Sequence, residues 1–305
     1  AGAGAADAIA IEGRSITIDM RGGTLEQAER EEGIDVGLRV LVGQRQACVS
    51  ASDARPEVLT ALAERAVAMA REAPEDPYIG LADPGQLARD WDLAALELAD
   101  ATPEPSAQDL QDDARAAEAA ALEVQGVSQV QSASAGYSWR AVHMAATNGF
   151  AGGYERTDRG ISCVAIAGEG SGMERDHDGD SRIFQADLRT PDDIGRAGER
   201  AVAALNPRRP RTGAYPVLFD ERISSSLIGH LLAASNGASI ARGSSWLMGR
   251  LGEQVLPEGL SVIEDPHRPR VMGSRPFDAE GLPTRRRAIV QDGVLTGWAL
   301  DLANA

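Results

Sequence analysis

Between residues 14 and 52 the apolar side chains fall at every second position, as in Ile16, Ile18 and Met20 and again in Leu38, Val40 and Val42. Side chains on a strand point alternately to opposite faces, so this period of two sets one face of a sheet against a core. Gly22-Gly23 and Glu32-Gly33 stand as turn points, and the segment reads as a meander of antiparallel strands. The same texture returns over 127–184, where Asn148-Gly149, Gly152-Gly153 and Asp178-Gly179 are turn candidates. Long, twisted hairpins are expected there.

Helical patterns come in separate blocks. Residues 56–72 place Val58, Leu62, Val67 and Met69 at helical spacing, with Pro56 suited to the first turn and Ser52 or Asp53 available as a cap. Residues 106–124 are rich in Ala, Asp and Glu and predict a second helix. Thr190 can cap a third, running to Leu205, in which Pro191 fits the first position and Asp192 and Asp193 favour the positive end of the dipole. Strands and helices in blocks, without strict alternation, argue for an α+β fold.

The Pro/Arg-rich stretch 206–210 divides the chain. Residues 1–205 read as an N-terminal α+β domain, with a strand meander plus helix over 1–105 and a helix, long hairpins and a further helix over 106–205. Residues 206–305 read as the start of a second, β-rich domain. It contains a short strand at 216–219 and a helix over 221–235 with Ile223, Leu227, Ile228, Leu231 and Leu232 on one face. Asn236-Gly237 stops that helix, and Asp292-Gly293 joins strands 286–290 and 294–300. Ala1 is not Met and the sequence closes on a strand-like run, which reads as a piece of a longer protein.

Charge narrows the function. Against 46 Asp and Glu stand 30 basic residues, a net charge of −16, and residues 1–125 alone carry −15. Such a surface repels a phosphate backbone, so nucleic acid is not an expected partner. Every basic residue is Arg, which excludes a Walker A lysine or a Schiff-base lysine within these residues. Cys48 and Cys163 lie in strand-like runs without metal or disulfide spacing and read as reduced core thiols of a cytoplasmic protein. No stretch approaches the roughly 20 apolar residues of a membrane span.

The candidate chemical groups each have a simpler reading. Asp176, His177, Asp178 and Asp180, with Asp187 further on, imitate a calcium loop, but Ser181 takes the position that needs glycine, so a solvated hairpin tip is expected. Residues 168–172, Gly-Glu-Gly-Ser-Gly, lack the lysine and the helix of a phosphate loop and read as a hairpin connection. Ser224 to Ser226 and Ser244-Ser245 have no nucleophile elbow and suit capping and packing. His143, His177, His230 and His267 show no ligand spacing, and His230 reads as a hydrogen-bonded residue at the edge of an apolar helix face. Arg268, Arg270, Arg275 and Arg285 to Arg287 could bind a carboxylate or phosphate, although alternation along a strand limits how many converge.

Several segments carry a resemblance. Leu25 to Arg30 running to Val36–Gly43, then Glu174-Arg-Asp176, Arg242 to Trp246, Leu251 to Val255, Glu264 to Arg270 and Gly273 to Gly281 are similar to the TldD/PmbA family. The later segments resemble the PmbA branch, also called TldE and modulator of DNA gyrase. The resemblance implies a C-terminal part built on a strongly curved antiparallel sheet. It also implies partnership with a TldD-type subunit that supplies zinc-dependent cleavage of unstructured peptides, or a homodimer in isolation. In the TldD branch a His-Glu-x-x-x-His helix holds zinc and activates water. The matching positions here are Ile228, Gly229 and Ala233, which can neither coordinate nor take a proton. No catalytic, metal-binding or cofactor-binding residue is therefore expected in this chain, and zinc is expected in the partner. The alternatives are a regulator that contacts gyrase and an independent metallohydrolase using Asp176 to Asp180.

Overall fold

The computed structural model describes residues 2–305. Three strands, β1 (Ala5–Arg21), β2 (Thr24–Val42) and β3 (Arg45–Ala51), form the first meander. Three more, β4 (Val127–Ala146), β5 (Ala151–Ala167) and β6 (Glu174–Arg182), complete one six-stranded antiparallel sheet ordered β3-β2-β1-β4-β5-β6. Gly22 and Gly23 both take positive φ at the β1–β2 turn, the requirement of a tight primed turn. The other predicted turns at Glu32-Gly33, Gly152-Gly153 and Asp178-Gly179 lie inside strands instead. Gly33 pairs with Gly13, Gly153 with His143 and Gly179 with Ser162. Glycine serves close approach at Gly152-Gly153: a Cβ on Gly153 would stand 2.6 Å from the Val142 carbonyl, and one on Gly152 would stand 2.9 Å from the Phe277 ring.

Helices cover one face of this sheet. The first, α1 (Pro56–Glu72), begins at the predicted proline, but its cap is Arg55 without a side-chain bond, because Asp53 accepts the Arg55 N–H instead. It packs Ala66, Val67 and Ala70 on Val40. After the single turn α2 (Leu93–Leu96), α3 (Ala107–Leu122) places Leu110 and Ala114 on Ile16, Ile18 and Met20. Its residue Glu118, 2% exposed, accepts the Gly23 N–H and so ties the first hairpin turn to the helix. A capping box of Ser106 and Asp109 starts α3. Ser106→Ala is expected to cost about 1 kcal/mol of stability, read as a lower urea midpoint with unchanged slope.

The helix predicted over 190–205 is two, α4 (Pro191–Gly195) and α5 (Ala197–Ala203), opened by a capping box of Thr190 and Asp193. Gly195 and Gly198 let this pair sit almost on the α3 backbone, where a Cβ on Gly195 would meet the Ala120 Cβ at 2.5 Å. Glycine is also a poor helix former, so the break falls at this contact. Of the two thiols, Cys163 is buried in this layer, and desolvation pushes it up to about 12. Cys48 is exposed, contrary to the core position expected of it.

Residues 206–220 form neither helix nor strand. The strand expected at 216–219 finds no pairing partner there, and Leu218 is 98% exposed. The remainder holds α6 (Glu221–Ala234), α7 (Gly237–Ala241) and a small antiparallel sheet of β7 (Val262–Glu264), β8 (Arg287–Gln291) and β9 (Val294–Leu295). Ser235 ends α6, and Asn236, next along the chain, caps α7. The last strand is shorter than predicted because the Ala299 N–H turns away to donate to the Ser235 carbonyl.

The helix-free face of the large sheet receives residues 266–284. Phe277, 2% exposed, enters a cluster with Trp91, Phe150 and Tyr154 at centroid distances of 5.0, 5.0 and 5.8 Å. Arg156, 7% exposed, donates to the Met272 carbonyl at 2.6 Å and to the Ser274 carbonyl.

Candidate functional site

The C-terminal part contributes to two candidate surfaces. The first is the open side of α6. Asp220 caps this helix by accepting the Arg222 N–H, and Glu221 sits in its first turn, where the dipole favours an acid. Leu231 and Ala234 pack with Leu247, Ile289, Val290 and Leu295. The predicted apolar face is otherwise uncovered: Ile223, Leu227, Ile228 and Leu232 are exposed. A 14-residue helix is about 21 Å long, and three strands span only about 10 Å across, so the small sheet reaches its last turns alone. Ile228, Gly229 and Ala233 all lie on exposed positions of this helix. They offer no donor atom, so the zinc implied by the family resemblance does not fit them. His230 is exposed as well, not packed at a core edge as expected.

The second surface is a cleft of about 860 Å³ on the helix-free face of the sheet, between β1, β2 and β3 and the segment 275–280 with 300–301. Cross-strand partners Asp7 and Arg39 form a bidentate pair on its floor, with contacts of 3.0 and 3.1 Å from Nε, and Cys48 stands beside Arg39. Opposite them, Glu280 accepts the Leu302 N–H. Burial, and then the nearby Asp278 and Asp301, push the Glu280 carboxyl up, against the pull of Arg39. Arg275 lines the same cleft. A cleft with acid and guanidinium groups on both walls can hold a polar chain that carries donors and acceptors of its own. Sequence reading missed the Asp7–Arg39 pair, since two residues 32 apart meet only through strand register. The one available signal was the position of each across the Gly22-Gly23 turn.

The other candidates are accounted for by structure. Asp176, Asp178 and Asp180 share one face of β6 rather than a hairpin tip, and each is held by arginine. Asp178, 5% exposed, meets Arg189 and Arg200, both at 2.9 Å, while Asp176 meets Arg222 at 2.8 Å and Asp180 meets Arg182 at 3.1 Å. Asp187 faces Arg270. Residues 168–172 join β5 to β6, as read from the sequence. Ser224 and Ser226 donate to carbonyls of their own helix, and Ser244 donates to the Ser239 carbonyl. His143 and His177 are exposed, and His267 shares a hydrogen bond of 3.0 Å with Thr284. The arginine group does not converge: Arg287 meets Glu264, Arg286 meets Asp265, and Arg270 meets Glu97 while lying 4.0 Å over the Phe184 ring. Among the described residues, no group of three or more His, Cys, Asp or Glu is placed to hold a metal ion. No helix among them is long and apolar enough to cross a membrane.

Comparison with known proteins agrees along the whole chain. Domain 1 of the PmbA/TldA metallopeptidases matches residues 6–70, their central domain 100–205 and their C-terminal domain 212–305. Metalloprotease PmbA of Escherichia coli is 32% identical over 287 residues, covering 93% of this chain and 63% of the relative. The Metalloprotease PmbA homolog of Haemophilus influenzae is 31% identical, covering 96% and 65%. This chain thus spans a little under two thirds of the length of both. Among solved structures, a Bacteroides thetaiotaomicron protein described as a candidate modulator of DNA gyrase superposes with a TM-score of 0.93 at 25% identity, over 99% of this chain and 69% of that one. TldE from Thermococcus kodakarensis shares the fold, with a TM-score of 0.78 at 21% identity over 98% and 67%. With its three domains matched in order and its fold shared from end to end, the chain belongs to the PmbA/TldD family.

Proposed function

We propose that this chain is the non-catalytic, PmbA/TldE-type subunit of a cytoplasmic zinc peptidase, and that it pairs with a TldD-type subunit to present unstructured peptides for cleavage. One observation carries the reading: α6 offers Ile228, Gly229 and Ala233, all exposed, where the resemblance places two zinc ligands and a base. A helix that can neither polarise a carbonyl nor activate water contributes surface instead of chemistry. Its uncovered Ile223, Leu227, Ile228 and Leu232 are apolar surface of the kind that binds another chain. The zinc would belong to the partner. Affinity purification of the full-length protein from its host is expected to bring down a TldD-type protein, with stoichiometric zinc in the complex and none retained by this subunit alone. Failure to recover such a partner removes the pairing.

A second reading has the names of the relatives in its favour. Both PmbA relatives are called metalloproteases, so an independent metallohydrolase would need ligands from outside the residues matched here. Elemental analysis of the isolated full-length protein separates the two readings, because only an independent enzyme retains metal and loses peptide turnover to a chelator. A gyrase-directed role rests on the descriptions of solved relatives alone. The charge of −16 makes protein contact its only plausible route.

A further inference from the structure

The strand β3 pairs with β2 only over Val36–Val42, so the backbone of residues 24–35 of β2 is paired with β1 on one side and with no strand on the other, where Ser52 donates to the Asp35 side chain. About half the N–H and C=O groups of these twelve residues point outward unpaired. Thr24 to Gly33 are all exposed. Two hollows open beside this edge on the helix-bearing face. One, of about 430 Å³, is lined by Ile16, Ile18, Ala28, Pro105 and Ala107. The other, of about 720 Å³, lies where Gly13 pairs with Gly33 and is walled by Trp139, Arg14 and Glu32. A bridge from Glu104 to Arg14 and Arg30 separates them. On the opposite face, the edge presents Glu29, Glu31 and Asp35. Its acids, Glu26, Glu29, Glu31, Glu32 and Asp35, outnumber its one arginine, Arg30.

We propose that this edge is a docking strip for an extended, basic peptide segment, which pairs with β2 as an added strand. The pleat specifies its pattern. Side chains opposite Ala28 and Glu32, four residues and about 13 Å apart, enter the two hollows and are apolar. Those opposite Glu29 and Glu31 emerge on the other face and are basic. Main-chain bonds supply affinity without regard to sequence, and the alternate side chains select. A second copy of this chain is the disfavoured occupant, because its edge would bring the same surplus of acids. The inference rests on the peptide-handling half of the function proposed above, and the two fail separately. An edge that binds no peptide leaves the subunit pairing intact, and absence of a TldD-type partner leaves the edge intact.

The probe is a fluorescent, terminally blocked peptide, Ser-Val-Arg-Thr-Arg-Val-Ser, titrated onto the 305-residue chain at low salt, beside a control with Glu for both Arg. Binding of the basic peptide is expected to slow amide exchange at least tenfold at outward-facing positions of residues 24–35. Glu29→Arg with Glu31→Arg, both exposed, is expected to weaken binding at least tenfold. Ala28→Phe, which fills the smaller hollow from an exposed position that lines it and leaves the charge unaltered, is expected to weaken it several-fold. Unchanged exchange over 24–35, equal binding of the acidic control, an affinity indifferent to both variants, or self-association through the edge would each overturn the proposal.

Discussion

Asp178→Ala is expected to destabilise the large sheet by about 2–3 kcal/mol, the scale of losing charge-assisted hydrogen bonds to a buried carboxylate whose arginine partners remain partly exposed. Asp178 is 5% exposed; Arg189 donates to both of its oxygens, at 2.9 and 3.1 Å, and the Arg200 guanidinium lies 2.9 Å from Oδ2. Both arginines lie in the layer that covers β5 and β6, so the variant leaves two guanidinium groups without their shared carboxylate. Burial by itself would raise the Asp178 carboxyl, but the Arg189 hydrogen bonds, the Gly179 N–H and the charges of Arg200 and Arg189 outweigh it and hold the group below the ordinary carboxylate range. A depressed folded-state value stabilises the protein above the unfolded-state value, about 3.9, and that contribution is lost as pH falls through the folded value below it. Urea midpoints measured across this acid range are expected to fall for the native chain, with a smaller fall in Asp178→Ala. Equal falls in both would assign the acid sensitivity elsewhere.

Phe277→Ala is expected to cost a further about 3–5 kcal/mol, and its damage lies in a different place. The ring joins residues 266–284 to the β4–β5 end of the sheet through Trp91, Phe150 and Tyr154. Its loss opens a cavity in that seam, and the Gly152 contact, where a Cβ would stand 2.9 Å from the ring, loses its reason. Hydrogen exchange is the appropriate readout, since a chain of several units need not unfold in one step. Amides of 266–284 are expected to exchange faster while those of β1 and β2 keep their protection. Uniform acceleration along the chain would show that the seam does not separate two cooperative units.

Both predictions concern contacts that the sequence did not display. The period-two runs revealed strand texture in β1, in the 38–42 end of β2 and across β4 and β5, because alternation reports which face is buried and needs no knowledge of the partner. The rest of β2 was hidden by the turn expected at Glu32-Gly33. A cap revealed the start of α4, because Thr190 acts within three residues; composition marked α3, whose Ser106 cap the structure added. Glycines misled. Gly152, Gly153 and Gly179 were read as turns, yet they lie within strands, where 152 and 153 admit an aromatic ring or a neighbouring backbone. A missing Cβ has the same appearance in both settings, and only the approaching atoms tell them apart. The acids of β6 misled for a related reason, since Arg189, Arg200 and Arg222 come from elements that follow the strand.

The candidate surfaces divide along the same line. That Ile228, Gly229 and Ala233 cannot bind zinc was legible in the sequence, because donor atoms are a property of residue type. That they sit on an open helix face was not, since amphipathic spacing predicts a covered one. Likewise the acidity of 24–35 could be counted beforehand, whereas the unpaired edge depends on where β3 stops. The order of residues determined local periods, caps, charge and chemical capacity, each set within a few positions along the chain. Tertiary structure decided register, edge and cleft, because these depend on which distant segments share the space around a given side chain.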